Sequence, residues 1–325
     1  MVSEKRNNLI DLLRIFAASC VALFHFNEPI VYINNWYRNF CKLGYLGVPV
    51  FFVVSGYCIL IALEHAAKPT EFAIRRFFRI FPPYWFSLVV IIAIAVCEKV
   101  ITGTNSVYLP KTAGDILATP LLLVSPVTHV NTMNWAYWTL PYEVIFYIII
   151  FLLSYFRGKY FLILLIILNV LPLIVPANAN GLLSFFGYLP MFGLGMAVYF
   201  INHKKQIRVS LILLALVIVD LYFSKTGLPY GLVSIITSAL IFCNNFKPLA
   251  KNIFSKYGDV SYSLYLIHVP VGIFAFGFLK TNFQTNIALN IVFDIAMLLF
   301  LILFSTLMYK YIELPAIRFG KKIAK

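Results

Sequence analysis

Charged residues are scarce in this sequence. Asp, Glu, Lys and Arg together make up 12% of the 325 residues, while 62% are hydrophobic. A soluble domain typically carries about twice that share of charge, because water must solvate its surface. The composition therefore excludes an ordinary soluble protein and indicates a chain whose main solvent is lipid.

Cysteine is also sparse and lacks the spacing of a metal site or a paired disulfide framework. The five residues are Cys20, Cys41, Cys58, Cys97 and Cys243. Cys20, Cys58 and Cys243 lie within apolar runs, where a free thiol behaves as a small hydrophobic group. The sequence thus predicts no metal, and a disulfide between Cys41 and Cys97 is the less favoured alternative.

Long apolar runs recur along the whole chain. A helix needs about 17–25 residues to cross a bilayer, and lipid offers backbone groups no partner outside the helix itself. The sequence therefore predicts an all-α, polytopic integral membrane bundle of about ten transmembrane helices, with the runs at 82–98 and 210–224 the shortest. The predicted spans are 9–28, 43–63, 82–98, 135–155, 160–176, 182–201, 210–224, 229–245, 260–279 and 287–309.

The net charge of +14 does not indicate nucleic acid, because the basic residues form short clusters between apolar runs. If the N-terminus is cytoplasmic, the inner segments hold 19 Lys and Arg and the outer loops hold 6, with Arg14 completing the 26. This positive-inside bias predicts that both termini are cytoplasmic. Residues 1–325 are expected to form a single transmembrane domain without an appended soluble domain.

Asp11, Arg14 and His25 lie in the first predicted span, where charge is costly and so indicates function. Arg14 and His25 are eleven residues apart, close to three helical turns, and Asp11 shares their face. The aligned polar face predicts a catalytic role. The structural alternative is an Asp11–Arg14 pair at the inner end of the helix, with His25 reaching the outer interface.

Glu143 and His268 are ionisable residues in two of the other predicted spans. Glu143 lies about two turns into the fourth span, so it must be protonated, paired or facing a cavity. A belt of interfacial aromatic residues explains Trp135 and Trp138 beside it, but it does not explain Glu143. His268 in the ninth span is equally consistent with a hydrogen bond between packed helices and with a chemical role.

A basic cluster separates the second span from the third. Arg75, Arg76 and Arg79 are three and four residues apart, so a helix presents them together. Grouped guanidinium groups bind phosphates through paired hydrogen bonds. The same cluster is equally typical of a cytoplasmic anchor against anionic lipid headgroups, and spacing alone does not separate the two interpretations.

Five ordered blocks and a closing segment, Ile312-Glu313-Leu314-Pro315, carry a wider pattern. The blocks are Asp11-Leu-Leu-Arg14 through His25, Gly44-Tyr-Leu-Gly47-Val48 through Gly56, Arg75 through Pro82, Trp138 through Tyr147, and Gly258 through His268. Together they cover nearly the full length, and in this order they resemble the acyltransferase 3 family. Members of that family are membrane enzymes, mostly bacterial, that O-acylate cell-surface glycans.

The resemblance implies a role for each matching residue. It makes His25 the catalytic base and Arg14 its support. It places the phosphates of acyl-CoA on Arg76 and Arg79, with Arg75 on the same helix. Glu143 also matches a family position, and with Asp11 on the polar face it completes the predicted catalytic set.

Together, residues and resemblance predict an integral membrane O-acyltransferase. It would move an acyl group, expected to be acetyl from acetyl-CoA, to a sugar hydroxyl of a cell-surface or lipid-linked glycan. His25 would act either as a general base or as the group that is itself acylated. The expected location is the bacterial inner membrane, with lipid, glycan and acyl-CoA as partners and no nucleic acid.

Two other function classes remain open at this stage. A transporter of lipid-linked glycans would also need a polar cavity among ten helices, although the repeated halves that many transporters have are not visible here. A non-enzymatic scaffold would not need Arg14, His25 and Glu143 within its spans.

Overall fold

The computed structural model describes residues 7–28, 34–104, 106–156, 158–175, 179–222, 227–280 and 285–324, without the side chains of 220–222 and 278. These ranges are all-α, and they contain no strand. Turns and short 3₁₀ or π segments join the helices. The helices are α1 (Asn8–Asn27), α2 (Trp36–Lys42), α3 (Gly47–Glu64), α4 (Pro69–Thr102), α5 (Ala113–Ala118), α6 (Thr139–Leu153), α7 (Lys159–Ile174), α8 (Leu189–Asn202), α9 (Ile207–Tyr222), α10 (Leu228–Asn244), α11 (Ser261–Val269), α12 (Gly277–Lys280), α13 (Ile287–Met308) and α14 (Leu314–Ile323).

Several helical stretches are long and apolar enough to cross a bilayer. In the described part of the chain there are five, and a sixth if a pair bent by 44° counts as one span. They coincide with six of the predicted spans, so the prediction of an all-α membrane protein is confirmed. The five are Asn8–Asn27, Trp36–Glu64, Pro69–Thr102, Trp135–Leu153 and Ile287–Ile323, and the bent pair is Gly181–Gly187 with Leu189–Asn202.

The remaining four predicted runs are helical but shorter or interrupted. Helices α7, α9 and α10 have 16, 16 and 17 residues, close to the lower limit for a crossing. The run at 260–279 is not one regular helix: α11 ends at Val269 and a π-helical stretch follows at Pro270–Ala275. Proline has no backbone N–H to donate, which explains the break at Pro270.

Helix α4 is longer than the apolar run that predicted it. It has 34 residues and continues through Pro82 and Pro83, so the arginine cluster belongs to the same helix as the third span. The short helix α5 (Ala113–Ala118) lies in the connection that follows α4. Tyr84 and Trp85 of α4 donate hydrogen bonds to the carbonyl groups of Thr119 and Pro120, at 2.7 and 2.9 Å.

Contacts between Cα atoms divide the chain into two compact units. The first comprises the chain up to Ala17, Val48–Phe72 and Glu143–Asp259. Its core contains the rings of Phe52 and Phe146, each tilted against the ring of Phe192, with centroid distances of 4.8 and 4.2 Å. Here α3 and α8 touch backbone to backbone, because the missing side chains of Gly56 and Gly195 leave room for the carbonyl oxygens of Phe192 and Val53.

The second unit comprises Ala18–Gly47, Ala73–Tyr142 and Val260–Lys325. Buried hydroxyl groups connect its helices. Tyr137 donates to Ser87 Oγ at 2.7 Å. Tyr265 donates to the carbonyl oxygen of Ala136, so the 2.6 Å bond between Tyr265 and Thr139 must be donated by Thr139. Each hydroxyl thereby satisfies a group that lipid would leave unpaired.

Candidate active site

His25 lies in the last turn of α1 and is buried, with 7% of its surface exposed. Trp135 approaches it from the 3₁₀ turn before α6, and its indole Nε1–H donates to His25 Nδ1 at 3.1 Å. Asn134 begins that turn and accepts the amide hydrogen of Ala136 at 2.9 Å, as an N-cap does. The ring of Phe274 packs edge-on against Trp135 at 5.2 Å, so the indole is held on both sides.

Glu28 follows the last residue of α1 and reaches the same ring nitrogen. Its Oε2 lies 3.4 Å from His25 Nδ1, and its side chain is 54% exposed. The hydrogen bond to His25 lowers the pKa of the Glu28 carboxyl below its ordinary value. Glu28 is therefore a carboxylate at neutral pH, with access to solvent on one side and to the imidazole on the other.

A second imidazole lies beside the first. The ring centroids of His25 and His268 are 5.2 Å apart, and His268 is completely buried. His268 Nδ1 is 2.7 Å from the carbonyl oxygen of Tyr265; a carbonyl only accepts, so Nδ1 carries the hydrogen. Nε2 has no hydrogen-bond partner among the described residues. His268 thus presents a buried lone pair next to His25.

Two cations cap the end of α1 just after His25. Lys280 Nζ donates to the carbonyl oxygen of Phe26 at 2.8 Å and to Asn27 Oδ1 at 3.2 Å. Arg38 Nε donates to the carbonyl oxygen of Asn27 at 3.1 Å. The last carbonyl groups of a helix have no partner within it and carry partial negative charge. The two cations satisfy them and fix the turn that holds His25.

Asp294 of α13 supplies a negative charge that neutralises Lys280 at this end of α1. Its side chain is completely buried, and Oδ1 forms an ion pair of 2.6 Å with Lys280 Nζ. Oδ2 accepts hydrogen bonds from Asn27 Nδ2 at 2.7 Å and from the Tyr37 hydroxyl at 2.9 Å. Both carboxylate oxygens are therefore paired, as a buried charge requires.

The other predicted catalytic residues lie in the first unit. Glu143 of α6 accepts hydrogen bonds at Oε1 from Ser55 at 2.8 Å and from Tyr147. Asp11 of α1 is buried against the backbone of Gly258. Arg14 is half-buried, one turn further along α1.

The arginine cluster occupies the first part of α4. Arg75, Arg76 and Arg79 are all half-buried on one helix, as their spacing predicts. Packing from the end of the chain holds this segment: Phe78 contacts Phe319 edge-on at 5.3 Å and fills the space beside Gly320 of α14. In the ranges that the structure describes, no three His, Cys, Asp or Glu side chains group as metal ligands would.

The residues that surround His25 were not predicted from the sequence. Glu28 was not singled out, and Arg38 and Lys280 counted only as charges of outer loops. Asp294 lies in the middle of the apolar run 287–309. The rule that selects Glu143, an ionisable residue within a span, selects Asp294 as well. Glu28 is the last residue of the predicted span 9–28, and an acidic residue at the end of an apolar run is ordinary in sequence.

Comparison with known proteins gives two findings. A profile for a family described as an acyltransferase domain matches residues 7–310. A protein of Shigella phage Sf6 named O-acetyl transferase is 25% identical over 292 residues, which cover 82% of this chain and 85% of that protein. No solved structure matches the chain.

The cap of α1 gives a testable prediction about stability. Lys280→Met leaves the Asp294 carboxylate buried without a cation, so we expect it to lower the free energy of unfolding by about 3–5 kcal/mol. Adding Asp294→Asn should recover much of that loss, because the uncompensated charge is then gone. Thermal unfolding of the purified protein in detergent measures both effects.

A second ion pair of the chain provides the control. Lys205 pairs with Glu64, and their side chains are 47% and 45% exposed. Lys205→Met should therefore change the free energy of unfolding by less than about 1 kcal/mol. Equal losses for Lys205→Met and Lys280→Met would contradict the role given to the buried pair.

Proposed function

The chain belongs to the acyltransferase 3 family, and from this premise we propose that it is a membrane O-acyltransferase that acetylates a glycan. The donor is acyl-CoA, most simply acetyl-CoA, and the acceptor is a sugar hydroxyl of a cell-surface or lipid-linked glycan. One observation carries the proposal: His25 is a buried imidazole beside a second buried imidazole, in a turn held by two cations. The name of the phage relative supports acetyl as the group transferred.

His25 is the proposed general base. It takes the proton of the sugar hydroxyl as that oxygen attacks the thioester carbonyl carbon. The new C–O bond forms, the C–S bond breaks, and the proton on His25 is available to the departing thiolate of CoA. An imidazole suits this exchange because its ordinary pKa of about 6.5 lets it accept and return a proton near neutral pH.

The arginine cluster is the proposed donor site. Arg75, Arg76 and Arg79 lie within five residues of α4, and their planar guanidinium groups match phosphate oxygens. The turns of helix that carry them are held by Phe319, which packs against Phe78, and by the Tyr262 hydroxyl, which donates to the carbonyl oxygen of Ile80 at 2.9 Å. We retain Arg14, Asp11 and Glu143 as further proposed catalytic residues, on the resemblance of their sequence blocks to the family.

We further propose that residues 1–325 form one transmembrane domain that crosses the bacterial inner membrane ten times, with both termini cytoplasmic. The charge distribution of 19 inner against 6 outer Lys and Arg supports this topology. It places the start of α4 on the side where acyl-CoA is made. It places the end of α1, with His25, towards the side where surface glycans are assembled.

The topology is tested by labelling single cysteines with a reagent that does not cross the membrane. In a background without the five native cysteines, Lys111→Cys should react from outside the cell and Lys68→Cys only after the membrane is opened. The expectation follows from the charge bias of the flanking segments. Labelling of position 111 from the cytoplasmic side alone would contradict the orientation.

The catalytic role is tested by His25→Ala. Loss of a general base typically lowers the rate about 10²–10⁴-fold, so glycan acetylation by a complemented deletion strain should be nearly abolished. His203→Ala is a matched control, since it removes an imidazole at the end of α8 that has no proposed role in transfer. Both variants must reach the membrane in normal amounts. Acetylation by His25→Ala within a few-fold of wild type would exclude His25 as the base.

The donor site is tested by exchanging one cation for another. Lysine keeps the charge of Arg76 and Arg79 but loses the paired geometry of the guanidinium group. Arg76→Lys and Arg79→Lys should therefore weaken acetyl-CoA binding in calorimetry, about tenfold or more. Arg318→Lys, at an exposed position of α14, is the control and should bind normally. Unchanged affinity in all three would make the cluster a lipid anchor.

A further inference from the structure

Nδ1 of His25 has two polar neighbours, one that needs a lone pair on this nitrogen and one that needs a hydrogen on it. Trp135 Nε1 is 3.1 Å from Nδ1 and Glu28 Oε2 is 3.4 Å from the same atom. Neither contact was anticipated from the sequence. Their chemistry decides where the hydrogen of the neutral imidazole is located, and therefore which nitrogen can accept a proton.

The two contacts select different tautomers. An indole N–H only donates, so its bond to Nδ1 requires a lone pair there and puts the ring hydrogen on Nε2. An ionised carboxylate only accepts, so its bond to Nδ1 requires the hydrogen there and leaves the lone pair on Nε2. A neutral imidazole has one ring hydrogen, and the two arrangements exclude each other.

We infer that Glu28 is a positioning residue for His25: by accepting the Nδ1 hydrogen it holds the tautomer whose Nε2 is free to act as base, and Trp135 holds the opposite, inactive tautomer. The inference rests on the proposed role of His25 in acyl transfer. In the arrangement with Trp135, Nε2 carries a hydrogen and Nδ1 is covered by the indole. When the Glu28 carboxylate replaces the Trp135 indole as the partner of Nδ1, the ring hydrogen lies on Nδ1. Nε2 is then free to accept the proton of the substrate hydroxyl.

The charged groups around the ring leave this role to Glu28. From α11, His268 presents the lone pair of Nε2 and already donates its own Nδ1 hydrogen to Tyr265. Arg38 and Lys280 bond to carbonyl groups at the end of α1, and Lys280 is paired with Asp294. Within the described ranges, Glu28 is the carboxylate in contact with the His25 ring. A carboxylate hydrogen-bonded to an imidazole also stabilises the imidazolium that forms when the base is protonated.

The experiment compares Glu28→Ala and Glu28→Gln with wild type over a range of pH. Glu28→Ala removes both acceptor and charge, so we expect kcat to fall about tenfold or more with little change in KM. Without the negative charge, an imidazolium at this position loses the carboxylate that stabilises it. The acidic limb of the pH–rate profile should shift down by about half a unit or more in both variants. Glu28→Gln keeps an acceptor and should lose less rate.

The tautomer itself is observed by nitrogen NMR of the purified protein with labelled histidine. Signals of His25 are identified by their absence in His25→Ala. Glu28→Ala should lower the fraction with hydrogen on Nδ1, and Trp135→Phe, which removes the competing donor, should raise it. Glu98→Ala is the control, because it removes a carboxylate that bonds to Ser106 rather than to a histidine.

The outcomes separate this inference from the proposed function. An unchanged acidic limb and tautomer in Glu28→Ala, with His25→Ala inactive, would overturn the role of Glu28 and leave His25 as base. Normal transfer by His25→Ala would overturn both. Loss of folded protein in Glu28→Ala without a shift in the Glu28→Gln profile would make Glu28 structural.

Discussion

The end of α1 depends on the buried ammonium group of Lys280, a charge that is costly to place among apolar helices. Lys280 reaches the carbonyl oxygen of Phe26 only because Asp294 neutralises its charge within 2.6 Å. Asp294 in turn is tolerated at complete burial because Asn27 and Tyr37 satisfy its other oxygen. Each member of this network is costly alone, and together they form a rigid polar cap. His25 is two residues from the capped carbonyl groups, so the geometry of its ring follows from the cap.

The two units show two ways to place a carboxylate among apolar helices. Glu143 receives hydrogen bonds from the hydroxyl groups of Ser55 and Tyr147. These neutral donors satisfy a carboxyl oxygen without adding charge. Asp294 instead receives a full cation. Hydroxyl donors serve a carboxyl group in either protonation state, whereas a buried ion pair requires both partners to be charged. Asp294 therefore belongs to an ion pair, whereas Glu143 is held by neutral donors.

Much of the fold could be predicted from composition, whereas the candidate site could be predicted only in part. Apolar length predicted the six stretches able to span a bilayer, because lipid imposes length and helicity together. It did not predict the break at Pro270, since the proline stands inside an apolar run whose mean hydropathy is unaffected. His25 could be found as an ionisable residue within a span. Its neighbours Trp135 and His268 are 110 and 243 positions away in sequence, and helix periodicity carries no information on contacts between distant helices. Asp294 lies within the apolar run 287–309, so the same rule selects it.

The contact of α3 with α8 has an evolutionary consequence. When two side chains collide after a substitution, a second substitution can trim the other one and restore the fit. A side chain at position 56 or 195 would instead collide with a carbonyl oxygen of Phe192 or Val53, and every amino acid has that oxygen. No compensating mutation exists on the facing helix. Substitution of these two glycines is therefore excluded unless the helices move apart. This constraint is the same whatever glycan or acyl group a descendant of this protein uses.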